Sequence, residues 1–258
     1  MGIIKSIIIA LSTYSKIPMP QFKWEEKDMR YILAFFPLVG FVIGILEYGW
    51  KFICLQYGIG EICYVLIGVA IPLIITGGIH VDGYMDTMDA FHSYQPKERK
   101  LEILKDSHIG AFSVIMLGAY GLVYIAAFSQ VQDIRLFKIL CVGFILSRAL
   151  SGLAGVTFKG AKKEGILFTF SSNASKVIVR TMLVIEAILC GAYMIYISWV
   201  AGAILVGVAI CSFVYYYFKC KKELGGITGD TEGYFLLICQ LVMAVALAGL
   251  NVFALNII

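Results

Sequence analysis

Seven apolar runs of about twenty residues constrain this chain more than any other feature. They lie at 32–54, 62–79, 110–130, 136–156, 177–197, 199–218 and 234–256. Hydrocarbon offers no water to an unpaired backbone group, so runs of this length cross a bilayer as helices that bond within themselves. Composition agrees: 60% of residues are hydrophobic and 15% are charged, against about 25% charged in soluble domains, and the mean hydropathy is +0.87. Water-soluble enzymes, disordered tails and secreted disulfide scaffolds are excluded. The expected fold is all-α, one integral membrane domain over residues 1–258 with about seven transmembrane helices. The seven cysteines show no CxxC or Cys/His ligand spacing and read as small hydrophobes in apolar runs.

Two links, Gln56 to Glu61 and the single Ser198, are so short that the runs they join must be antiparallel hairpins. Ahead of the first run, Ile7 to Leu11 is too short to span and has no small-residue cleavage site after it, so no signal peptide is expected. Lys5, Ser12 and Lys16 share one helical face, which suits an N-terminal interfacial helix ended by Pro18 and Pro20.

Basic residues set the orientation. Lys5, Lys16, Lys23, Lys27 and Arg30 precede the first run. Lys97, Arg99, Lys100 and Lys105 occupy the second loop, Lys159, Lys162, Lys163 and Lys176 the fourth, and Lys219, Lys221 and Lys222 the sixth. The opposite loops hold only Arg135 and Lys138. By the positive-inside rule the N-terminus and the second, fourth and sixth loops are cytoplasmic, and the C-terminus is outside. The net charge of +4 is therefore a membrane-surface signal, and no nucleic-acid partner is expected.

The chemistry concentrates in residues 76–112. Asp82, Asp86 and Asp89, spaced i, i+4, i+7, fall on one face of a helix, with no Lys or Arg between Ile79 and Pro96. Three like charges on one face repel, and a bound hard cation, Mg²⁺ sharing its shell with substrate phosphates, explains them better than a solvated acidic face. Gly77, Gly78 and Gly83 around them permit a break or a close backbone approach. Residues 225–230, GGITGD, echo 77–82, GGIHVD, at the same membrane face. That puts Asp230 where it can meet Asp82. Thr228 adds a hydroxyl, and the N–H groups of Gly226 to Gly229 are a candidate anion nest.

Further candidates are His80, Asp106 and Ser107, the last two placed to cap the third span or to hold phosphate at its N-terminus. Residues 98–107 suit a short amphipathic helix with Lys105 at its end. Arg148, inside the fourth span, reads as a phosphate clamp or as a partner for Glu47 or Glu186. The loop 156–170, with Lys159, Lys162, Lys163 and Glu164, suits lipid headgroups or substrate. Together, acidic residues for Mg²⁺, glycine turns and basic residues at a bilayer surface point to transfer between phosphate-bearing substrates, with an acceptor hydroxyl as nucleophile and a carboxylate as base.

The chain resembles the cobalamin synthase (adenosylcobinamide-GDP ribazoletransferase) family nearly end to end. The blocks that carry the likeness are LSTYSKIPMP, AFFPLVGFVIG, GGIHVDGYMDTMDA, ERKLEILKDSHIGAF, SRA, KGAKKEGILFTF and GGITGDTEG. The resemblance implies a Mg²⁺-dependent enzyme of the inner membrane. It would join α-ribazole, or its 5′-phosphate, to adenosylcobinamide-GDP, releasing GMP and forming adenosylcobalamin or its phosphate. It further implies Asp82, Asp86, Asp89 and Asp230 around metal and diphosphate. Thr228, Gly229, Gly83, His80, Lys105, Asp106, Ser107 and Arg148 would be substrate contacts. A homo-oligomer is left open. Tyr84, Met85 and Tyr234 stand where the family commonly has smaller residues. Two other classes compete. A CDP-alcohol phosphotransferase needs an Ala-Arg pair and a later Asp pair that are absent here, and a cation transporter needs carboxylates near mid-membrane, where only Glu47 and Glu186 lie.

Overall fold

The computed structural model describes residues 2–253. It contains eleven α-helices among the described residues: α1 Gly2–Tyr14, α2 Pro37–Tyr57, α3 Glu61–Thr76, α4 Ile79–His92, α5 Lys97–Ile103, α6 Ala111–Gln130, α7 Ile134–Thr157, α8 Ile166–Asn173, α9 Lys176–Ile197, α10 Trp199–Leu224 and α11 Gly229–Phe253. Two 3₁₀ turns, Glu26–Met29 and Ile32–Phe35, lead into α2. No strand occurs among the described residues, and the only bridge is an isolated parallel one between Gly160 and Ile227.

Six helices are long and apolar enough to cross a membrane: the segment Ile32–Tyr57, α6, α7, α9, α10 and α11. The expected second span differs. α3 has 16 residues and is followed by α4 at an angle of 93°, so the count reaches seven only if this bent pair is one span. The bend is made by Gly77 (φ 63°) and Gly78 (φ 80°), two successive left-handed residues that a side chain would strain. The seventh expected span begins earlier than read, at Gly229, so the GD of GGITGD lies in its first turn. Its last expected residues, 254–256, and the C-terminal end lie outside the described residues.

The helix α7 runs through the centre, buried along most of its length. Its tightest neighbour is α2, where Gly40 and Gly44 form a small-xxx-small seam: a Cβ at Gly44 would stand 2.8 Å from the Cys141 carbonyl oxygen. Both short links behave as expected. Gly58 ends α2 in a left-handed turn, and the Ser198 hydroxyl accepts from Ala201 N–H to cap α10.

The helix α1 ends at Tyr14, four residues before Pro18. It is pinned by Ser6, whose hydroxyl donates to the Asp28 carbonyl (2.6 Å), and by a Lys5–Asp28 ion pair (3.1 Å). Lys5 is thus turned to protein rather than standing on a free polar face, and Lys16 lies beyond the helix, over Gly77. The starts of α6 and α11 and the ends of α3 and α7 gather at one end of the bundle. The bonds that hold them there are Lys16 N–H to Ile75 O (2.7 Å), Gly110 N–H to Asp89 (2.8 Å), and Ile227 N–H to Lys159 O (2.9 Å). Alternating spans require this arrangement.

Candidate active site

The two acidic motifs meet. Helix α4 crosses the start of α11 so closely that a Cβ at Gly83 would stand 2.8 Å from the Asp230 carbonyl oxygen and 2.9 Å from its Cα. A Cβ at Gly233 would stand 2.5 Å from the His80 carbonyl oxygen. Glycine is required at both points because backbone fills the space. The N-terminus of α11 is locked by a reciprocal pair: Thr228 N–H donates to the Thr231 hydroxyl (2.9 Å), and Thr231 N–H to the Thr228 hydroxyl (3.2 Å). The Thr228 hydroxyl also reaches Asp230 Oδ2 (3.3 Å). The anion nest read over 226–229 is therefore partly spent, since the N–H groups of Ile227 and Thr228 already have partners.

Beside this crossing lies a cavity of about 660 Å³. Of the candidates read from sequence, His80, Asp82, Gly83, Thr228, Gly229 and Asp230 line it. Asp86, Asp89, Lys105, Asp106, Ser107 and Arg148 do not. Asp82 and Asp86 make no ion pair or side-chain hydrogen bond among the described residues. Burial first, then the charges of Asp82, Asp230 and Asp89, push the Asp86 carboxyl up to about 6. Asp89 behaves differently: its two oxygens accept from the N–H groups of Gly110 (2.8 Å) and Ser113 (2.9 Å), tying α4 to the start of α6. That is the cap expected from Asp106 and Ser107. They do not supply it, because Asp106 instead accepts from His108 N–H (3.0 Å) and Ser107 is exposed. Lys105 is on the surface, paired with Glu164.

Arg148 is buried with Nη1 on the Phe144 carbonyl oxygen (3.0 Å), its guanidinium 5.7 Å from the Phe36 ring centre. Its expected pairing with Glu47 or Glu186 is not made; no ion pair of Arg148 exists among the described residues. His80 is buried against Tyr14 and Phe36, and burial, then the Arg148 charge, hold it well below the usual histidine range, so it is neutral.

Sequence reasoning left Lys162 between lipid and substrate and missed Glu232 and Ser151. All are placed by the fold. The Gly160–Ile227 bridge brings the 156–170 loop over the GGITGD turn, so that Lys162 Nζ stands 3.4 Å from Asp230 Oδ2 and 3.4 Å from the Leu104 carbonyl oxygen. Lys159, Lys163 and Lys176 also line the cavity. Deeper in, Ser151 of α7 donates its hydroxyl to Glu232 of α11. No signal in the sequence couples Ser151, a polar residue within an apolar run, to Glu232, which lies in the GGITGDTEG block.

The donor set suits a hard cation. It is all carboxylate, Asp230 is the one member paired with a lysine among the described residues, and the charges of Asp82, Asp230 and Asp89 help raise the proton affinity of Asp86. No three His, Cys, Asp or Glu residues close on a single point among the described residues. Mg²⁺ does not require such a cage, since it keeps several waters and binds through one or two carboxylates plus substrate phosphates.

Residues 6–248 match the protein family described as cobalamin-5-phosphate synthase. A curated protein named adenosylcobinamide-GDP ribazoletransferase from Lachnoclostridium phytofermentans is 43% identical over 247 residues, 94% of this chain and 93% of its own length. Proteins of the same name from Clostridium perfringens and Listeria monocytogenes are each 33% identical, covering 92% and 89% of this chain and 94% and 91% of their own. No solved structure matches the chain.

Proposed function

This chain belongs to the cobalamin-5-phosphate synthase family, and from that premise we propose how its cavity carries out the reaction. The protein is a multi-pass membrane enzyme, an adenosylcobinamide-GDP ribazoletransferase. It joins α-ribazole, or its 5′-phosphate, to adenosylcobinamide-GDP. The acceptor oxygen bonds to the phosphorus next to cobinamide, the anhydride bond to GMP breaks, and GMP leaves.

The observation that carries the mechanism is the crossing of Gly83 on Asp230, which faces two acidic motifs onto one cavity. Asp82 and Asp230, on the cavity wall, would hold Mg²⁺, and Asp86, off the wall but within reach of their charges, adds to the negative field. Bound there, the ion would neutralise the diphosphate and the charge that develops on the leaving phosphate. Lys162, beside Asp230 and largely buried, adds a fixed positive charge for a phosphate oxygen. Lys159, Lys163 and Lys176 attract the anionic donor to the mouth. Asp82 or Asp230, on the cavity wall, takes the acceptor's proton. Asp89 keeps α4 and α6 in register while the other carboxylates work. The basic loops put this end of the bundle in the cytoplasm, where the nucleotide-bearing donor is available.

The test is GMP release by the detergent-solubilised protein from adenosylcobinamide-GDP, α-ribazole and Mg²⁺. Wild type releases GMP. Asp82→Asn and Asp86→Asn each insert in the membrane and release none. Wild-type release by either purified variant rejects the metal assignment.

A further inference from the structure

Helix α5, Lys97–Ile103, has seven residues, too few to hold a helical shape or a place in the fold without outside anchors. Leu104 at its end packs into the core. Lys100, one of the basic residues of the second loop, is not solvated. It is 7% exposed, and its Nζ donates to Glu223 Oε2 in the last turn of α10. The other Glu223 oxygen accepts from Lys219 Nζ (3.1 Å), and Lys219 lies 5.1 Å from the centre of the Phe91 ring on α4. Glu223 therefore has both oxygens occupied, and the cluster ties α5 and α4 to α10.

The end of α5 reaches the transfer site. Leu104 N–H donates to the Lys100 carbonyl oxygen (3.1 Å), so the residue that makes the ion pair also closes the turn that places Leu104. Leu104 lines the cavity, and its carbonyl oxygen stands 3.4 Å from Lys162 Nζ, which in turn stands 3.4 Å from Asp230 Oδ2. An ammonium has three donors. Leu104 and Asp230 take two of them, which fixes the direction of the third. A lysine held by two acceptors has less freedom left to lose when it binds an anion.

A second contact joins the end of α5 to the 156–170 loop, the Lys105–Glu164 pair. Its side chains are 56% and 65% exposed, and a pair so open to water fixes little. The Lys100 and Glu223 side chains are 9% and 15% exposed, so neither can leave the other without stranding a charge away from water. The buried pair is the one that decides where Leu104 sits.

We propose that Lys100 and Glu223 are positioning residues for the transfer: their pair seats the end of α5 so that the Leu104 carbonyl, with Asp230, aims Lys162 at a phosphate oxygen of the donor. Neither lines the cavity, and both act through Lys162. This rests on the ribazoletransferase reading and on the place of Lys162 in it.

Steady-state GMP release by the detergent-solubilised full-length protein, with each substrate varied in turn, tests it. Glu223→Gln and Lys100→Met are each expected to raise the KM for adenosylcobinamide-GDP about fivefold and to leave kcat and the KM for α-ribazole within twofold of wild type. Lys100→Arg, which still pairs with Glu223, should stay within twofold on all three. In a Lys162→Met background Glu223→Gln should add less than twofold, since the residue it positions is gone. Loosened packing alone gives a different pattern: a smaller folded fraction lowers the apparent kcat and leaves both KM values alone. Glu223→Gln keeps the side chain's size and serves if Lys100→Met fails to fold. A wild-type donor KM in Glu223→Gln, an equal rise in both KM values, or a full further rise on top of Lys162→Met overturns the proposal. A wild-type protein that releases no GMP from its substrates overturns the enzyme reading instead.

Discussion

Asp86 and Lys162 decide how charge is balanced at the cavity. Asp86 binds its proton more tightly in the folded protein than in the unfolded chain, because burial and three neighbouring carboxylates oppose its ionisation. Its contribution to stability is therefore present below the carboxylate's ordinary range near 4 and is lost as pH rises through about 6. Metal-free protein should melt at progressively lower temperature between those values, Asp86→Asn should flatten that slope, and Mg²⁺ should restore the wild type. Thermal melts across pH in chelator and in Mg²⁺ read this directly, and a wild-type slope of the opposite sign contradicts it. Lys162→Met should raise the KM for adenosylcobinamide-GDP about tenfold, equivalent to ~1.4 kcal/mol, and leave the KM for α-ribazole unchanged in steady-state kinetics. In sequence Lys162 was one of several loop lysines suited to lipid headgroups or substrate, and the individual candidate was Asp86. Its spacing from Asp82 and Asp89 marks a helix face, whereas Lys162 reaches Asp230 across 68 residues through a bridge that no local pattern encodes.

Among the elements, α4 carries most of the account. Its helical state and acidic face follow from residues 79–92 alone, and the GGI echo foretells that it meets α11. The 93° turn ahead of it does not follow, because a glycine pair permits a bend without dictating its angle. Asp89 was grouped with its neighbours by spacing. Its attachment to α6 depends on where that helix begins in space. Gly83→Ala should separate α4 from α11, since its methyl would press on the Asp230 backbone. Overpacking of this kind costs about 1–3 kcal/mol, and a displacement near 1 Å at reacting groups costs about 10²-fold in rate. The expected outcome is a GMP-release rate down about a hundredfold with insertion intact. A rate within twofold of wild type would show that the crossing does not set the site. Asp89→Asn should lower the melting temperature, as loss of a helix-terminal acceptor costs ~1 kcal/mol, with little change in Mg²⁺ half-saturation.

For the whole molecule, the apolar runs and the asymmetry of basic loops anticipated a helical membrane bundle, and all but one of the spans appear as single long helices. The exception, α3, is short because the chain turns away at Gly77 to form the site. The family match explains why the Asp block and GGITGD occur together, and it sets aside the transporter and CDP-alcohol readings. Of the deeper cavity wall only His80 was read in sequence, since the wall is assembled from α1, the turn before α2, α4, α7 and α11. A reporter fused after Ile258 should be active only outside the cell, and activity inside would reverse the orientation.

We propose that Asp82 on α4 and Asp230 on α11 serve one metal site. Spin-resonance titration of the purified protein with Mn²⁺ in place of Mg²⁺, in the presence of GDP, measures it. One class of site is expected, weakened at least tenfold in Asp82→Asn and equally in Asp230→Asn. Wild-type Mn²⁺ affinity in either folded variant would contradict it.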